Sequence, residues 1–366
     1  MAVSAEKPNC FLTLRDLRPS GQMIVQRPVD GFVEDRSYRL KAEGRKEVYF
    51  PAIDAMVSRG WYLTDRNRSK GFPLLVVGAG DGADYLKADH HISAAMGCEV
   101  DRSKFIRMSR GKEEMSLAEY NIRKDPFLAS RIKKKDIYIS IDRDDGVHYL
   151  QAWRQEIADG GKELFDGRFQ SFLPQSKSTV ISLADSFSHS HAYDSNEELY
   201  EPYKEPWDNY GLVLYAAVLT ELRKIVTPRT EALVVMSNRI PDGIIANMVQ
   251  TAGWDASEAV VTKTVRHDID TDVSWMVGAF DDDGERFEDK GGNKLTVEEA
   301  SRRVSKIMKL AKEMAQEVIQ NAGHVSELSP RQKNLLAKKT ISRFQKDLNV
   351  YEHMTAYRLV PLKQAA

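Results

Sequence analysis

A run of five apolar residues, followed at once by three closely spaced glycines, constrains the fold of this chain more than any other feature. The apolar run is Pro73–Val77, and the glycines are Gly78, Gly80 and Gly82. An uninterrupted apolar run is typical of a strand buried on both faces of a parallel sheet. Glycines after such a strand permit a tight turn and the close approach of a ligand, because they lack a Cβ. With a helix predicted over Asp84–Met96, the segment indicates the strand, turn and helix unit in which backbone N–H groups meet a nucleotide-like ligand.

Predicted strands and helices continue to alternate along the chain. Four further buried strands are predicted, at Asp136–Asp142, Arg168–Leu173, Thr179–Ala184 and Glu231–Met236. Helices are predicted between and after them, at Gly146–Ala158, Tyr210–Val226 and Ile244–Thr251. The runs Glu258–Arg266 and Asp272–Phe280 flank a polar turn and predict a terminal antiparallel strand pair. The expected fold class is therefore α/β, with a doubly wound, mostly parallel sheet.

Composition divides the chain into three regions. We expect an N-terminal extension over residues 1–45, a doubly wound domain over 46–285 and a helical C-terminal region over 286–366. The long separation between the glycine turn and the strand at Asp136 implies a charged insertion at about 102–135. A capping box at Thr296–Glu299 and the pair Ser329-Pro330 each predict the start of a helix in the C-terminal appendage.

The two cysteines, Cys10 and Cys98, have neither a metal-ligand spacing nor the pattern of a disulfide framework. Such usage fits a reducing compartment, cytoplasmic or otherwise intracellular. No apolar run reaches the length of a membrane span, and the N-terminus lacks the apolar core of a signal peptide.

The carboxyl ends of the predicted parallel strands should meet along one edge of the sheet, where ligands bind. That edge would carry the glycine turn, Asp142, Leu173 and Asp185. An acid after a strand that neighbours the turn can accept hydrogen bonds from ribose hydroxyls. Asp142 is our candidate for this role, and Glu99 and Asp101 are alternatives.

Side chains after Asp185 provide candidate chemistry. His189 and His191 lie in the loop where a substrate would approach the sheet edge, and either could act as a general base. The aromatic residues further along could form a lid, stack a flat substrate or pack the loop onto the domain; they are Tyr193, Tyr200, Tyr203 and Trp207. No Gly-x-Ser-x-Gly elbow, Walker loop, His-Glu-x-x-His motif or cysteine pair occurs. The absence of these motifs argues against hydrolase, kinase and zinc-enzyme functions.

The order of elements and the Gly78–Gly82 turn resemble the Rossmann-like (class I) S-adenosylmethionine-dependent methyltransferases. The resemblance implies an α/β methyltransferase domain with S-adenosyl-L-methionine as cofactor. It places Gly78, Ala79, Gly80, Asp81 and Gly82 at the methionine part of the cofactor and Asp142 at its ribose. Leu173 and Asp185 would flank the adenine and the transferable methyl group. We expect Asp185, His189 or His191 to orient or deprotonate the methyl acceptor, and we expect no metal.

Two other functions use the same turn. Gly78, Gly80 and Ala83 also match a relaxed dinucleotide fingerprint, and Glu99 follows at the spacing of a ribose-binding acid. The chain would then be an NAD(P)-dependent oxidoreductase. A binding or structural protein could also use this fold without catalysis.

Charge is distributed unevenly along the chain. Residues 102–135 contain eleven Lys and Arg residues against four acids, and residues 296–349 contain eleven against six, whereas the whole chain has a net charge of −1. Phe105, Tyr120 and Phe127 are interleaved with the bases of the first segment. This composition suits contact with a nucleic-acid backbone together with base stacking, so RNA or another nucleic acid is the expected partner.

Overall fold

The structure, a computed structural model, describes residues 71–88, 91–107, 114–171, 197–207, 212–267, 269, 273–277, 284–323 and 328–363. Its strands in chain order are β1 (Phe72–Val77), β2 (Ile92–Cys98), β3 (Phe105–Arg107), β4 (Glu114–Ser116), β5 (Tyr138–Asp142), β6 (Arg168–Ser171), β7 (Glu231–Ser237), β8 (Trp254–Arg266), β9 (Phe287–Glu288), β10 (Lys294–Leu295) and β11 (Tyr351–Pro361). Its α-helices are α1 (Ala83–Lys87), α2 (Leu117–Lys124), α3 (Pro126–Lys133), α4 (Gly146–Ala158), α5 (Glu197–Tyr200), α6 (Val213–Ile225), α7 (Asp242–Thr251), α8 (Val297–Gly323) and α9 (Pro330–Arg343).

The main sheet is parallel over five neighbouring strands. Strands β5, β2, β1, β6 and β7 lie side by side in that order, and each pairs in parallel with the next. The chain moves outward from β1 through β2 to β5, and then returns to the other side of β1 to form β6. The order therefore reverses between β1 and β6, a topological switch point at which ligands of such sheets bind. The predicted α/β class with a mostly parallel sheet is confirmed.

Strand β1 is buried on both faces, as its uninterrupted apolar run predicts. Leu74 and Val76 contribute to a core that also contains side chains of α1, α2 and α3. Leu75 and Val77 contribute to a second core, with side chains of α4, α6 and α7. Burial of each such side chain stabilises the fold by about 1.5–3 kcal/mol. Helices thus cover both faces of the sheet, and β1 joins the two cores.

The helix predicted over Asp84–Met96 is wrong. Helix α1 ends at Lys87, and β2 occupies Ile92–Cys98 between β1 and β5. Small residues are needed in β2, because a Cβ on Gly97 would lie 2.0 Å from the Val76 carbonyl oxygen. Tertiary pairing here overrides the low strand propensity of alanine and glycine. The strand that ends at Asp142 was predicted to be the second strand of the main sheet in chain order, but it is the third, after β1 and β2. The predicted insertion at about 102–135 therefore belongs to the connection between β2 and β5.

The predicted partner of the strand at 258–266 is also wrong. Strand β8 pairs antiparallel with β11, which lies between β7 and β8 and runs antiparallel to both. Of the predicted strand Asp272–Phe280, the described residues 273–277 contain a 3-10 turn at Ser274–Met276. The predicted strand Thr179–Ala184 lies outside the described residues.

The two C-terminal helices are present, and the predicted capping box forms. The Glu299 N–H donates to Thr296 Oγ1 at 3.2 Å, and the Thr296 N–H donates to Glu299 Oε2 at 3.0 Å. Helix α8 packs on a third core together with Phe287, Leu348 and neighbouring residues. Since β11 follows α8 and α9, this helical region is inserted before the last strand of the sheet and is not a terminal appendage. In the described part of the chain, no helix combines the length and apolarity needed to cross a membrane.

We expect Leu359→Ala to lower the free energy of unfolding by about 2–5 kcal/mol, because the substitution leaves a cavity. Leu359 of β11 is fully buried in the core that contains Val77. Urea denaturation measures the loss, and Leu362→Ala is the matched control because Leu362 is 39% exposed. Equal stability of the two variants would contradict the position of β11 in the sheet.

Candidate functional site

The glycine turn after β1 adopts a conformation that favours glycine at three positions. The φ angles of Gly78, Gly80 and Gly82 are +77°, +55° and +80°, in the left-handed region that other residues rarely adopt. The N–H groups of Gly78 and Ala79 both donate to the carbonyl oxygen of Cys98, at 3.0 Å each. We call the whole turn, residues 78–82, the glycine loop. The last residue of β2 therefore holds the first half of this loop.

The two ends of the glycine loop have different surroundings. A Cβ on Gly78 would meet no atom within 4 Å, and one on Gly80 would meet only the Gly78 carbonyl oxygen, at 3.9 Å. A Cβ on Gly82, by contrast, would lie 2.8 Å from Ala118 Cα of helix α2. Gly78 and Gly80 therefore leave space at the sheet edge, whereas Gly82 permits close packing. An open backbone loop at a topological switch point fits the binding of a nucleotide-like ligand.

Glu99, the residue after β2, holds the middle of the glycine loop. Its Oε2 accepts a hydrogen bond from the Gly80 N–H and its Oε1 accepts one from the Asp101 N–H, both at 2.8 Å. Burial raises the pKa of the Glu99 carboxyl, while these two N–H groups and Lys104 oppose the rise. Each carboxylate oxygen keeps a further lone pair. Glu99 can therefore accept two more hydrogen bonds, such as those from neighbouring ribose hydroxyls.

Asp142 lies beside Glu99 but one strand farther from the glycine loop. It pairs with Cys98 in the parallel register, and its carbonyl oxygen accepts a hydrogen bond from the Glu99 N–H at 3.0 Å. Its side chain is exposed at the sheet edge, and partial desolvation raises the pKa of its carboxyl. The structure thus brings Asp142 to the edge that the sequence predicts, and its contact with a ribose stays a prediction.

The side chains of the glycine loop point into the protein. Ala79 is buried in the core shared with α1, and the carboxylate of Asp81 accepts a hydrogen bond from the Ala83 N–H at 3.1 Å. Asp81 is only 3% exposed. The buried side chains of both residues therefore pack the loop onto the domain.

Four predicted site residues, Leu173, Asp185, His189 and His191, lie outside the described residues, so their roles stay predictions. Nearby, the described segment 197–207 packs onto the domain. Tyr200 and Trp207 are buried in the core that contains Val77, and the Tyr200 hydroxyl donates to Asp145 Oδ2 at 2.6 Å. Tyr200 and Trp207 therefore pack the segment onto the domain, which is one of the three roles that the sequence left open for these aromatic residues.

A buried charged cluster occupies the same sheet edge at the end of β7. Glu352 of β11 lies with its Oε1 3.0 Å from His267 Nδ1 and its Oε2 2.9 Å from Arg239 Nε. The Ser237 hydroxyl also donates to this carboxylate. Burial alone would raise the pKa of Glu352, but Arg239, His267 and Ser237 hold it well below its usual range. The cluster fixes the start of β11 against the end of β7.

Solved structures similar to this chain come from several organisms. One is a SAM-dependent methyltransferase from Thiobacillus denitrificans in complex with S-adenosyl-L-homocysteine, 11% identical, with 89% of this chain and 98% of that chain covered and a TM-score of 0.37. The second is a putative RNA methyltransferase from Pyrococcus horikoshii, 9% identical, with coverage of 85% and 83% and a TM-score of 0.35. The third is a 16S rRNA adenine methyltransferase from Catenulisporales acidiphilia, 11% identical, with coverage of 84% and 92% and a TM-score of 0.31.

All three are methyltransferases. No protein-family model matches the sequence, and the search of curated proteins finds no match.

Sequence reasoning weighed Glu99 only as an alternative, because β2 was not predicted. The signal was present in the small residues Ala94, Ala95 and Gly97, which suit a strand squeezed between two others. An acid directly after that strand would then have been the first candidate.

Within the described ranges, no group of three or more His, Cys, Asp or Glu side chains is arranged to hold a metal ion.

Alanine substitutions should separate the two ends of the glycine loop. Gly78→Ala should cost about 1–2 kcal/mol of stability, because only the left-handed backbone opposes it. Gly82→Ala should cost about 1–3 kcal/mol more, because its Cβ would also collide with Ala118. Urea denaturation of both variants tests this difference, and an equal loss of stability would contradict the close packing of α2 on Gly82.

Proposed function

We propose that this protein is an S-adenosyl-L-methionine-dependent methyltransferase. The observation that carries the proposal is the open glycine loop at the switch point of a parallel sheet, with the Glu99 carboxylate hydrogen-bonded to Gly80. A carboxylate that retains two lone pairs suits the ribose hydroxyls of such a ligand, and the space beside Gly78 and Gly80 suits its amino-acid part.

The described residues would contact different parts of this ligand. Gly78 and Gly80 would face the methionine part, and Glu99 would accept hydrogen bonds from the ribose hydroxyls. Asp142, beside Glu99, would then contact the ribose edge or the adenine. The cofactor would supply a methyl group on a sulfonium, and the protein would contribute chiefly by positioning donor and acceptor.

Leu173 and Asp185, which lie outside the described residues, complete the proposed site. We assign Leu173 to the adenine and Asp185 to the region of the transferable methyl group. Asp185, His189 or His191 would orient the acceptor or remove its proton.

A nucleic acid, and RNA in particular, is the proposed substrate class. Three consecutive lysines lie at the end of α3 and in the turn that leads to β5. All three, Lys133, Lys134 and Lys135, are exposed. Two aromatic side chains lie exposed near these bases in the sequence, Phe127 at 39% and Tyr138 at 60%. Exposed lysines with exposed rings combine phosphate attraction with a surface for base stacking.

The position of Glu99 directly after β2 also favours a second candidate, an NAD(P)-dependent oxidoreductase. In a dinucleotide-binding unit, an acid near this point contacts the ribose. A non-catalytic binding protein on the same fold is the third candidate. The choice among these functions is made by ligand binding and by transfer assays.

We expect the protein to bind S-adenosylhomocysteine, and we expect Glu99→Gln to raise the Kd by about tenfold or more. The neutral amide accepts hydrogen bonds less strongly and turns an NH₂ toward the Gly80 or Asp101 N–H. Isothermal titration calorimetry measures the Kd, with Asp142→Asn as the matched control and a smaller expected effect.

Four results, three from calorimetric titrations and one from a methyl-transfer assay, would change the assignment. A larger effect of Asp142→Asn would move the ribose contact to Asp142. Absence of binding to both S-adenosylmethionine and S-adenosylhomocysteine would contradict the proposed function, and tight NAD(P) binding instead would select the oxidoreductase. Cofactor binding without methyl transfer to RNA, DNA or protein would favour the non-catalytic protein.

RNA binding should weaken steeply with salt, and charge reversal of Lys133, Lys134 and Lys135 should weaken it further. Loss of three phosphate contacts on a single strand should reduce the slope of log K against log salt by about 2. The matched control reverses three exposed lysines of α8, Lys306, Lys309 and Lys312. A larger effect of the control set would move the contact to the C-terminal helices, and no effect of either set would remove both segments from the proposal.

A further inference from the structure

Helix α2 makes two independent contacts with the closing half of the glycine loop. The first is a close approach of backbones, because a Cβ on Gly82 would lie 2.8 Å from Ala118 Cα and 3.1 Å from the Ala118 carbonyl oxygen. Ala118 is fully buried. This contact fixes the distance between the helix and the loop.

The second contact is a hydrogen bond from a side chain. Asn121 is fully buried, and its Nδ2 donates to the Asp81 carbonyl oxygen at 2.8 Å. Asn121 follows Ala118 by three residues, so both contacts come from one face of α2. A polar side chain in so buried a place is costly unless its hydrogen bonds are made. The bond therefore fixes the orientation of the peptide between Asp81 and Gly82.

Helix α2 is itself anchored, so it can act as a rigid support. Its N-cap residue Ser116 belongs to the β3–β4 hairpin, and the Ser116 Oγ accepts a hydrogen bond from the Glu119 N–H at 3.1 Å. Ile122 is fully buried in the core beneath β1. The support and the loop are thus held by the same core.

We infer that Asn121 is a positioning residue for the ligand-binding loop. It is fully buried, and it sets the direction of the Gly80–Gly82 backbone through the Asp81 carbonyl. The link to cofactor affinity rests on the proposed function, whereas the effect on the loop itself does not.

The test compares Asn121→Leu, which has a similar volume and no N–H donor, with Arg123→Ala. Arg123 lies on the same helix but is exposed and pairs with Glu119. Hydrogen exchange reports the loop directly, because the Gly80 N–H is bonded to Glu99 and the Gly82 N–H to the Ala79 carbonyl. In Asn121→Leu we expect these two amides to exchange about tenfold faster, with β1 amides unchanged. Arg123→Ala should leave all of them unchanged.

Cofactor measurements supply the second readout. In Asn121→Leu the Kd for S-adenosylhomocysteine and the KM for S-adenosylmethionine should rise about tenfold, with kcat at saturation unchanged. Unchanged exchange at Gly80 and Gly82 in the folded variant would overturn the inference. If the parent protein binds no cofactor but the variant still exchanges faster, the proposed function fails and the positioning role stands. Should Asn121→Leu not fold, the smaller Asn121→Ser is used, and unfolding of both variants would make the residue structural and overturn the inference.

Discussion

The parallel pairing of β1 with β2 is the constraint on which the site depends. In this register Val77 lies opposite Cys98, so the chain leaves β1 where the Cys98 carbonyl can accept two successive N–H groups of the glycine loop. Glu99, the first residue after β2, then accepts a hydrogen bond from the Gly80 N–H. A slip of one residue would remove all three hydrogen bonds and would move every side chain of the strand to the opposite face. The site is therefore a consequence of how the core aligns two strands.

The far part of the sheet depends on a different kind of interaction. Glu352 joins β11 to the end of β7 through Arg239, His267 and Ser237, all of them buried. A buried ion pair contributes little net stability, but removal of one partner leaves an uncompensated charge. Such a cluster therefore favours one alignment of β11 over alternatives that would leave the Glu352 carboxylate buried without its partners. One end of the sheet edge is fixed by backbone groups, and the other by charged side chains.

The sequence was informative where local pattern and tertiary environment agree. The apolar run of β1 and the capping box at Thr296 predicted their elements because both signals act within a few residues. Strand β2 escaped prediction because close packing against Val76 requires small residues, which resemble helix formers in a single sequence. Strand β11 escaped because its partners, β7 and β8, lie far away in the chain, and a local pattern does not specify pairing. Because β2 was not predicted, Asp142 was preferred to Glu99 as the ribose-binding acid, and that choice stays a prediction.

The position of β11 has a consequence for how the chain is made. Strands β7 and β8 are synthesised before residues 267–350, and β11 comes only after them. If β7 and β8 took their final positions without β11, they would flank a slot about 9–10 Å wide, twice the spacing of neighbouring strands. Both borders of the slot carry unpaired N–H and C=O groups, the kind of edge that invites pairing with a foreign strand. A ribosome that pauses within 267–350, or a protease that cuts there, would expose this slot and make the nascent or nicked chain prone to aggregation.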